Sequence, residues 1–425
     1  MKESVLQYVW QHKLFVQHGL ISTAGQKVKV IDVGKLNTDG GPDFFNAKVQ
    51  IGSTIWAGNV EVHVNASDWY RHGHDADEAY DSVILHVVYR ADREVLVQGK
   101  RMLPQLELRF PELLEQRFEE LVYSRKWLAC SDHLHKVPSV LWTSWKNALL
   151  YERLMHKVND SKGLLLQSNF YFEEVFFKVL ARSFGFSING PAFDALAASL
   201  PWQVIMKNRN SQQQLEALLM GQSGLLFKAY RHHPDDVYLQ QLIGEYRQQQ
   251  RKFGLIPIPL WKWLRLRPEN FPELRIAQLA ALLSCNRHLF RDLMENVRVE
   301  AWRKVLEKSE LSEYWQHHFQ AGKYTSKKVQ RPGSDSLTGL IINAVIPVAF
   351  AYADYKGDFE LKETIVVMME QLPPENNRII RNWNDTGVKV ESAADTQALI
   401  QLYRNYCEPK KCLRCRVGHA VLTLG

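Results

Sequence analysis

Over the first 110 residues, the apolar positions keep changing their spacing. Val5, Leu6, Val9, Trp10 and Leu14 recur at helical spacing and predict an amphipathic helix ending near Gly19. Short alternating or wholly apolar runs follow at Val28–Val33, Phe44–Ile51, Ile55–Val64, Val83–Tyr89, Val95–Val97 and Leu103–Leu108, separated by Gly, Asn, Asp and Ser. Runs of this length between turn formers predict strands, and Gly52-Ser53-Thr54 predicts a hairpin turn between two of them.

From Pro111 onward the period is helical. The segments 111–124, 140–158, 170–184, 235–253, 271–284 and 394–407 place apolar residues at i, i+3, i+4 and i+7. Pro111, Pro191, Pro272 and Ser392 are expected near helix starts, where a missing N–H or a capping hydroxyl is tolerated or useful. Irregular connections are expected at 254–259 and at Lys323–Ser336. The expected fold class is α+β: a small N-terminal mixed β-sheet domain (1–110), a large all-α helical domain (111–406) and a cysteine-rich metal-binding tail (407–425) packed on the helical domain.

Composition narrows the class. The chain has 425 residues, 46% of them hydrophobic and 23% charged. That is enough ordinary globular chain for two or three cores, and it excludes global disorder and fibrous repeats. The longest apolar stretch, Leu340–Ala353, is broken by Asn343 and Pro347, falls short of a bilayer span and reads as a buried core helix, so no membrane partner is expected. Glu3, Gln7, Gln11 and His12 stand where a signal peptide needs an apolar run. With an odd count of five cysteines, the expected compartment is a reducing cytoplasm. The net charge of +7 is unevenly placed: residues 1–110 hold 12 Lys/Arg against 13 Asp/Glu, and the remainder 41 against 33. A basic helical body permits a nucleic-acid partner without requiring one.

Two acids have a costly setting. Asp43 follows Gly40-Gly41-Pro42 at the mouth of a strand, and Glu61 sits between valines in the middle of the next. A mid-strand carboxylate needs a partner or a cation. A hairpin turning at Ser53 without a bulge sets Asp43 opposite His63 and Phe45 opposite Glu61, so that Asp43, Glu61 and His63 share one sheet face. The bland alternative pairs Glu61 with Arg71 or Arg109. A helix, a strand hairpin bearing an Asp, and a Glu two residues before a basic residue together resemble the PD-(D/E)XK nuclease core. The resemblance implies Asp43 and Glu61 as ligands of Mg²⁺ or Mn²⁺, Glu3 as the helical acid, and His63 in the position of the family's Lys. An imidazole there can serve as base or ligand but not as a fixed ammonium. Lys48, in the same hairpin, is a candidate to supply that charge from elsewhere.

A histidine-rich bend follows. Asp68, His72, His74, Asp75 and Asp77 crowd one segment, with His86 in the next strand. If His72-Gly73-His74 is extended, both rings project to one side, and with His63 they could assemble a zinc, manganese or iron site. The bland alternative is a solvated turn before a short helix at Asp75–Tyr80, with His86 as a satisfied sheet histidine.

The tail holds Cys407, Cys412 and Cys415. Their C-x4-C-x2-C spacing resembles the three-cysteine loop of plant-type ferredoxins, while Cys412-x-x-Cys415 alone matches a zinc knuckle. Lys410, Lys411, Arg414 and Arg416 would favour thiolates. Zinc or an iron–sulfur cluster is expected, with Cys130 or His419 as fourth ligand. Cys285 reads as a buried small hydrophobe. Some PD-(D/E)XK nucleases use a four-cysteine clamp, although here the upstream cysteine, Cys130, follows the nuclease-like core.

Seven motifs carry a resemblance along the whole chain: 41–44, 56–63, 68–74, 83–88, 267–272, 395–400 and the cysteine tail. Together they resemble a bacterial family catalogued as domain of unknown function 2851. No activity comes with that resemblance, so the expectation rests on the residues. The leading one is a metal-dependent nuclease or phosphodiesterase acting on DNA or RNA, with Asp43, Glu61, His63, His72 and His74 as its catalytic set. One alternative is a non-catalytic nucleic-acid- or protein-binding scaffold with a structural metal site. Another is a small phosphoesterase built on His63, His72, His74 and Asp77.

Overall fold

The apolar runs before Pro111 form a mixed sheet, as their spacing predicts. The fold is that of a computed structural model and is described for residues 1–98, 100–257, 261–329 and 331–423. Helix α1 (Glu3–Gln11) precedes strands β1 (Val28–Asp32), β2 (Lys35–Leu36), β3 (Phe44–Ile51) and β4 (Thr54–Asn65). A short helix α2 (Asp68–Arg71) leads to β5 (Val83–Arg90), β6 (Leu96–Val97), β7 (Arg101–Met102), β8 (Gln105–Glu107) and helix α3 (Glu112–Tyr123). The main sheet runs β1-β3-β4-β5-β8, with β2 added to β3. Its β1–β3 and β3–β4 pairs are antiparallel, and its β4–β5 and β5–β8 pairs are parallel.

Helix α1 stops at Gln11, well before Gly19, because the chain turns at His12–Lys13. That turn stacks Phe15 on Trp10, with ring centroids 5.5 Å apart. Val5, Leu6, Val9 and Trp10 are buried as α1 packs on β4, leaving Glu3 and Gln7 at the edge of the helix. A second apolar cluster lies beyond β4 and β5, where Ala66, Trp69, Tyr80, Val83, Val88, Val95, Val97 and Leu103 pack together.

The hairpin register differs from the expectation. Ala47 pairs with Gly58, but Phe44 pairs with Val60, so Phe45 and Asn46 together face the single residue Asn59. This is a β-bulge. Asn46 takes a left-handed φ of 58°, and its N–H donates to Asn59 Oδ1 at 3.2 Å. The bulge moves Asp43 from His63 to Glu61.

The chain divides into two compact units otherwise than its change of period does. One comprises Met1–Trp142 with Arg404–Gly425, and the other Thr143–Tyr403. Residues 111–142 therefore group with the sheet, and the tail packs on them: the C-terminal helix Arg416–Thr423 lies against α3 and against the turn Ser131–Lys136.

The second unit is helical. Its most apolar helix, Ser334–Lys356, is 23 residues long, longer than the Leu340–Ala353 run suggested, and 78% of its apolar window is buried. Pro347 cannot donate to the carbonyl of Asn343, the helix takes a wider turn at Ile341–Val345, and Ser183 Oγ supplies a donor to that carbonyl at 3.2 Å. Pro191 lies inside the helix Phe186–Ala198, past its first turn. Cys285 is exposed, not buried: it is the last residue of Pro272–Cys285, where the chain leaves the core. Of the two connections expected to be irregular, residues 258–260 and 330 lie outside the described residues. Lys323 and Tyr324 pair in a short hairpin with His318–Gln320.

Candidate metal centre

Val60, Glu61, Val62 and His63 are consecutive and all buried in β4. Strand alternation sends the valines to one face and Glu61 and His63 to the other. The bulge then sets Asp43 beside Glu61. The Asp43 N–H donates to Glu61 Oε2 at 3.0 Å, and Asp43 Oδ2 accepts from the Val62 N–H at 3.1 Å. From α1, Gln7 Nε2 donates to Asp43 Oδ1 at 2.9 Å and to Glu3 Oε1 at 3.4 Å.

Three carboxyls from three elements thus meet where like charges repel. Burial pushes the Asp43 carboxyl up to about 7; the Glu61 charge adds to this, and the Gln7 amide opposes it. Glu3 is also held above the usual range, first by burial and then by Glu61 and Asp68. Arg71 is exposed and pairs with Asp68 at 2.9 Å, whereas Glu61 pairs with His63 and His74. Lys48 is exposed and stands opposite Ala57, on the turn side of the bulge.

His72 and His74 do not lie on an extended segment. They close α2: the Gly73 N–H donates to Tyr70 O at 3.1 Å, the His74 N–H donates to Trp69 O at 3.0 Å, and Gly73 has a φ of 75°. These two bonds and the left-handed glycine make a Schellman cap. It folds His74 back over Trp69, with ring centroids 5.5 Å apart, while Tyr80 stacks on His74 at 3.8 Å. Asp77 is exposed, and its carboxylate caps the Ala79 N–H at 2.9 Å, in the turn Glu78–Tyr80.

The result is a convergence of donors. Ligand nitrogens of His63, His72 and His74 all lie within 4.8 Å of one another. His63 Nε2 is 3.2 Å from His72 Nδ1 and 3.5 Å from Glu61 Oε1, and His74 Nε2 is 3.4 Å from the same oxygen. A tetrahedral ion with bonds of about 2.0–2.1 Å has ligand-to-ligand edges of about 3.4 Å.

Behind this set, His63 Nδ1 is 2.9 Å from Nε2 of the fully buried His86. Burial pushes His63 down to about 2 and His86 down to about 3, with neighbouring histidines adding in each case. Both rings are therefore neutral at pH 7, the form that ligates metals. His86 is not the satisfied sheet histidine expected of it, since its Nδ1 is buried without a partner. Gln7, His86 and Tyr80 are the members of the site that sequence reasoning missed. The available signals were the i, i+4 spacing of Glu3 and Gln7 and a histidine in the middle of an apolar strand.

The four tail-associated cysteines also come together. Cys130 starts the turn Ser131–Lys136, Cys407 ends the helical segment Tyr403–Cys407, and Cys412 and Cys415 flank one tight turn. Burial pushes the Cys130 thiol up to about 12, with Cys415 and Cys412 adding. Cys407 is raised by burial and then by Cys415, Cys130 and Cys412. His419 turns elsewhere: its Nδ1 is 2.5 Å from the Tyr8 hydroxyl, and its ring lies 4.8 Å from that of His12. The Lys410 ammonium is anchored on the carbonyls of Val122 and Ser124 at 3.1 and 2.9 Å.

Residues 3–378 match the family described as "Protein of unknown function (DUF2851)". The chain belongs to this family. The DUF2851 match takes in Glu3, Asp43, Glu61, all four site histidines and Cys130, and ends before Cys407. No curated protein and no solved structure matches the chain.

Proposed function

We propose that this chain is a metal-dependent hydrolase of phosphodiesters in DNA or RNA. One divalent ion would be bound by Glu61 Oε1, His63 Nε2, His72 Nδ1 and His74 Nε2. What carries the reading is the spacing of these four atoms, close to the edges of a metal tetrahedron. Three imidazoles favour Zn²⁺, Mn²⁺ or Fe²⁺ over Mg²⁺. The His63 Nε2 lone pair is free for the ion when its Nδ1–H donates to His86, a neighbour that fixes both tautomer and ring.

In this role the ion lowers the pKa of a bound water and polarises a phosphoryl oxygen. Asp43, next to Glu61 and with a carboxyl that titrates near neutrality, is placed to exchange a proton with that water. His72 is exposed and leaves the centre a side open to substrate. The resemblance of α1 and the Asp43/Glu61 hairpin to the PD-(D/E)XK core, and the basic balance of the chain beyond residue 110, support a polyanionic substrate.

A second reading has its own observation. Glu61 and His63 are only 4% and 1% exposed, a depth that suits a closed structural metal in a binding protein. Cleavage assays separate the two. With Mn²⁺ or Zn²⁺ added, the full chain should cut labelled single- or double-stranded DNA or RNA, and Asp43→Asn and Glu61→Gln should each abolish cutting while remaining folded. Undiminished cleavage by the double variant would sink the hydrolase assignment. Metal binding without cleavage of any of these substrates would favour the scaffold.

A further inference from the structure

We propose that Cys130, Cys407, Cys412 and Cys415 bind one iron–sulfur cluster, at a site separate from the histidine centre. The four residues reach one place by different routes. The C-terminal helix Arg416–Thr423 packs on the turn that Cys130 opens, and the same helix is held tightly to the Cys412 turn. A Cβ on Gly418 would come within 2.1 Å of the Cys412 carbonyl oxygen, so only glycine permits this approach. Within the knuckle, the Cys415 N–H donates to Cys412 O at 3.2 Å, and the Lys410 N–H donates to Cys407 O at 3.1 Å. Lys410 takes a left-handed φ of 53° there, and its ammonium is fixed on the end of α3. All four thiols are free, and they lie within electrostatic reach of one another.

Their spacing selects the metal. Four thiolates around one zinc ion, with bonds of about 2.3 Å, need sulfurs about 3.8 Å apart. Among the described residues, His63, His72 and His74 meet a mutual limit of 4.8 Å, and no three of these sulfurs do. Thiolates that bind different irons of one cluster stand farther apart, and a C-x4-C-x2-C loop with a distant fourth cysteine is a known cluster pattern. His419 is excluded as a ligand by its contact with Tyr8. That contact gives the cluster a structural consequence: it ties the tail to α1, which carries Gln7 to Asp43.

The test is iron and acid-labile sulfide analysis of the full chain purified without oxygen, together with its visible absorption. The expected result is iron and sulfide in equal amounts, about two or about four of each per chain, and a visible band bleached by dithionite. Cys130→Ser and Cys415→Ser should lose both elements, and His419→Ala should keep them. Stoichiometric zinc without sulfide, or a wild-type chain that takes up neither element when reconstituted with iron and sulfide, overturns the proposal. None of these readouts depends on hydrolytic activity, so this inference and the hydrolase reading fail independently.

Discussion

His74 Nε2 stands 3.4 Å from Glu61 Oε1, joining the cap of a four-residue helix to the middle of a buried strand. That contact needs the Schellman turn at Gly73. Nothing lies within 4 Å of a Cβ built on Gly73, so alanine there meets no clash and suffers only from its positive φ. Gly73→Ala should therefore cost about 1–2 kcal/mol, in thermal unfolding without added metal. It should also weaken metal binding by displacing His72 and His74. Wild-type affinity in this variant would show that the cap does not position the rings.

His86 touches the centre only through His63. Replacing it by phenylalanine removes the acceptor that orients His63 Nδ1–H, and loss of such an outer partner typically costs 10–100-fold in metal affinity. Calorimetric titration with Zn²⁺ or Mn²⁺ measures this. An unchanged affinity would mean that packing alone orients His63.

Gln7 acts on Asp43 in a direction that can be read. Its amide stabilises the carboxylate, so Gln7→Ala should raise the Asp43 pKa above its value of about 7. A carboxyl-carbon NMR titration of the metal-free chain follows that group directly. A downward shift would contradict the hydrogen-bond assignment.

The second unit carries a pH effect free of any metal. Glu216 is fully buried and accepts from Gln212 Nε2, from Ser312 Oγ and from the Tyr238 hydroxyl. Burial pushes it from 4.5 up to about 7, with those donors opposing. A raised carboxyl stabilises the fold fully below its unfolded pKa and loses that contribution as pH rises through its folded pKa. Stability should thus fall between pH 4.5 and pH 7–8 by on the order of 3 kcal/mol, at about 1.4 kcal/mol per pKa unit. Glu216→Gln should flatten this decline in denaturant unfolding, and an equally steep decline in the variant would place its cause elsewhere.

The strands and long helices were legible because each repeats an apolar period over many residues; β3, for example, is Phe44–Ile51 both as predicted and as observed. The pairing of Asp43 was not, because a bulge at Phe45–Asn46 has no apolar signature and shifts every residue beyond it. His72 and His74 were recognisable as candidates, yet their convergence depends on a left-handed glycine that also suits an ordinary turn. The unit boundary at Trp142 was hidden as well, since α3 has the helical period of the body although it packs with the C-terminal helix. Cys130 stood among the candidates, but only the fold brings a residue so far upstream to the tail.

The most direct measurement is an anomalous difference map from a crystal of the full chain soaked in Mn²⁺ or Zn²⁺. The predicted result is a single strong peak about 2.0–2.2 Å from Glu61 Oε1, His63 Nε2, His72 Nδ1 and His74 Nε2. A map with no peak among these four atoms, in crystals that bind the ion elsewhere, would contradict the account.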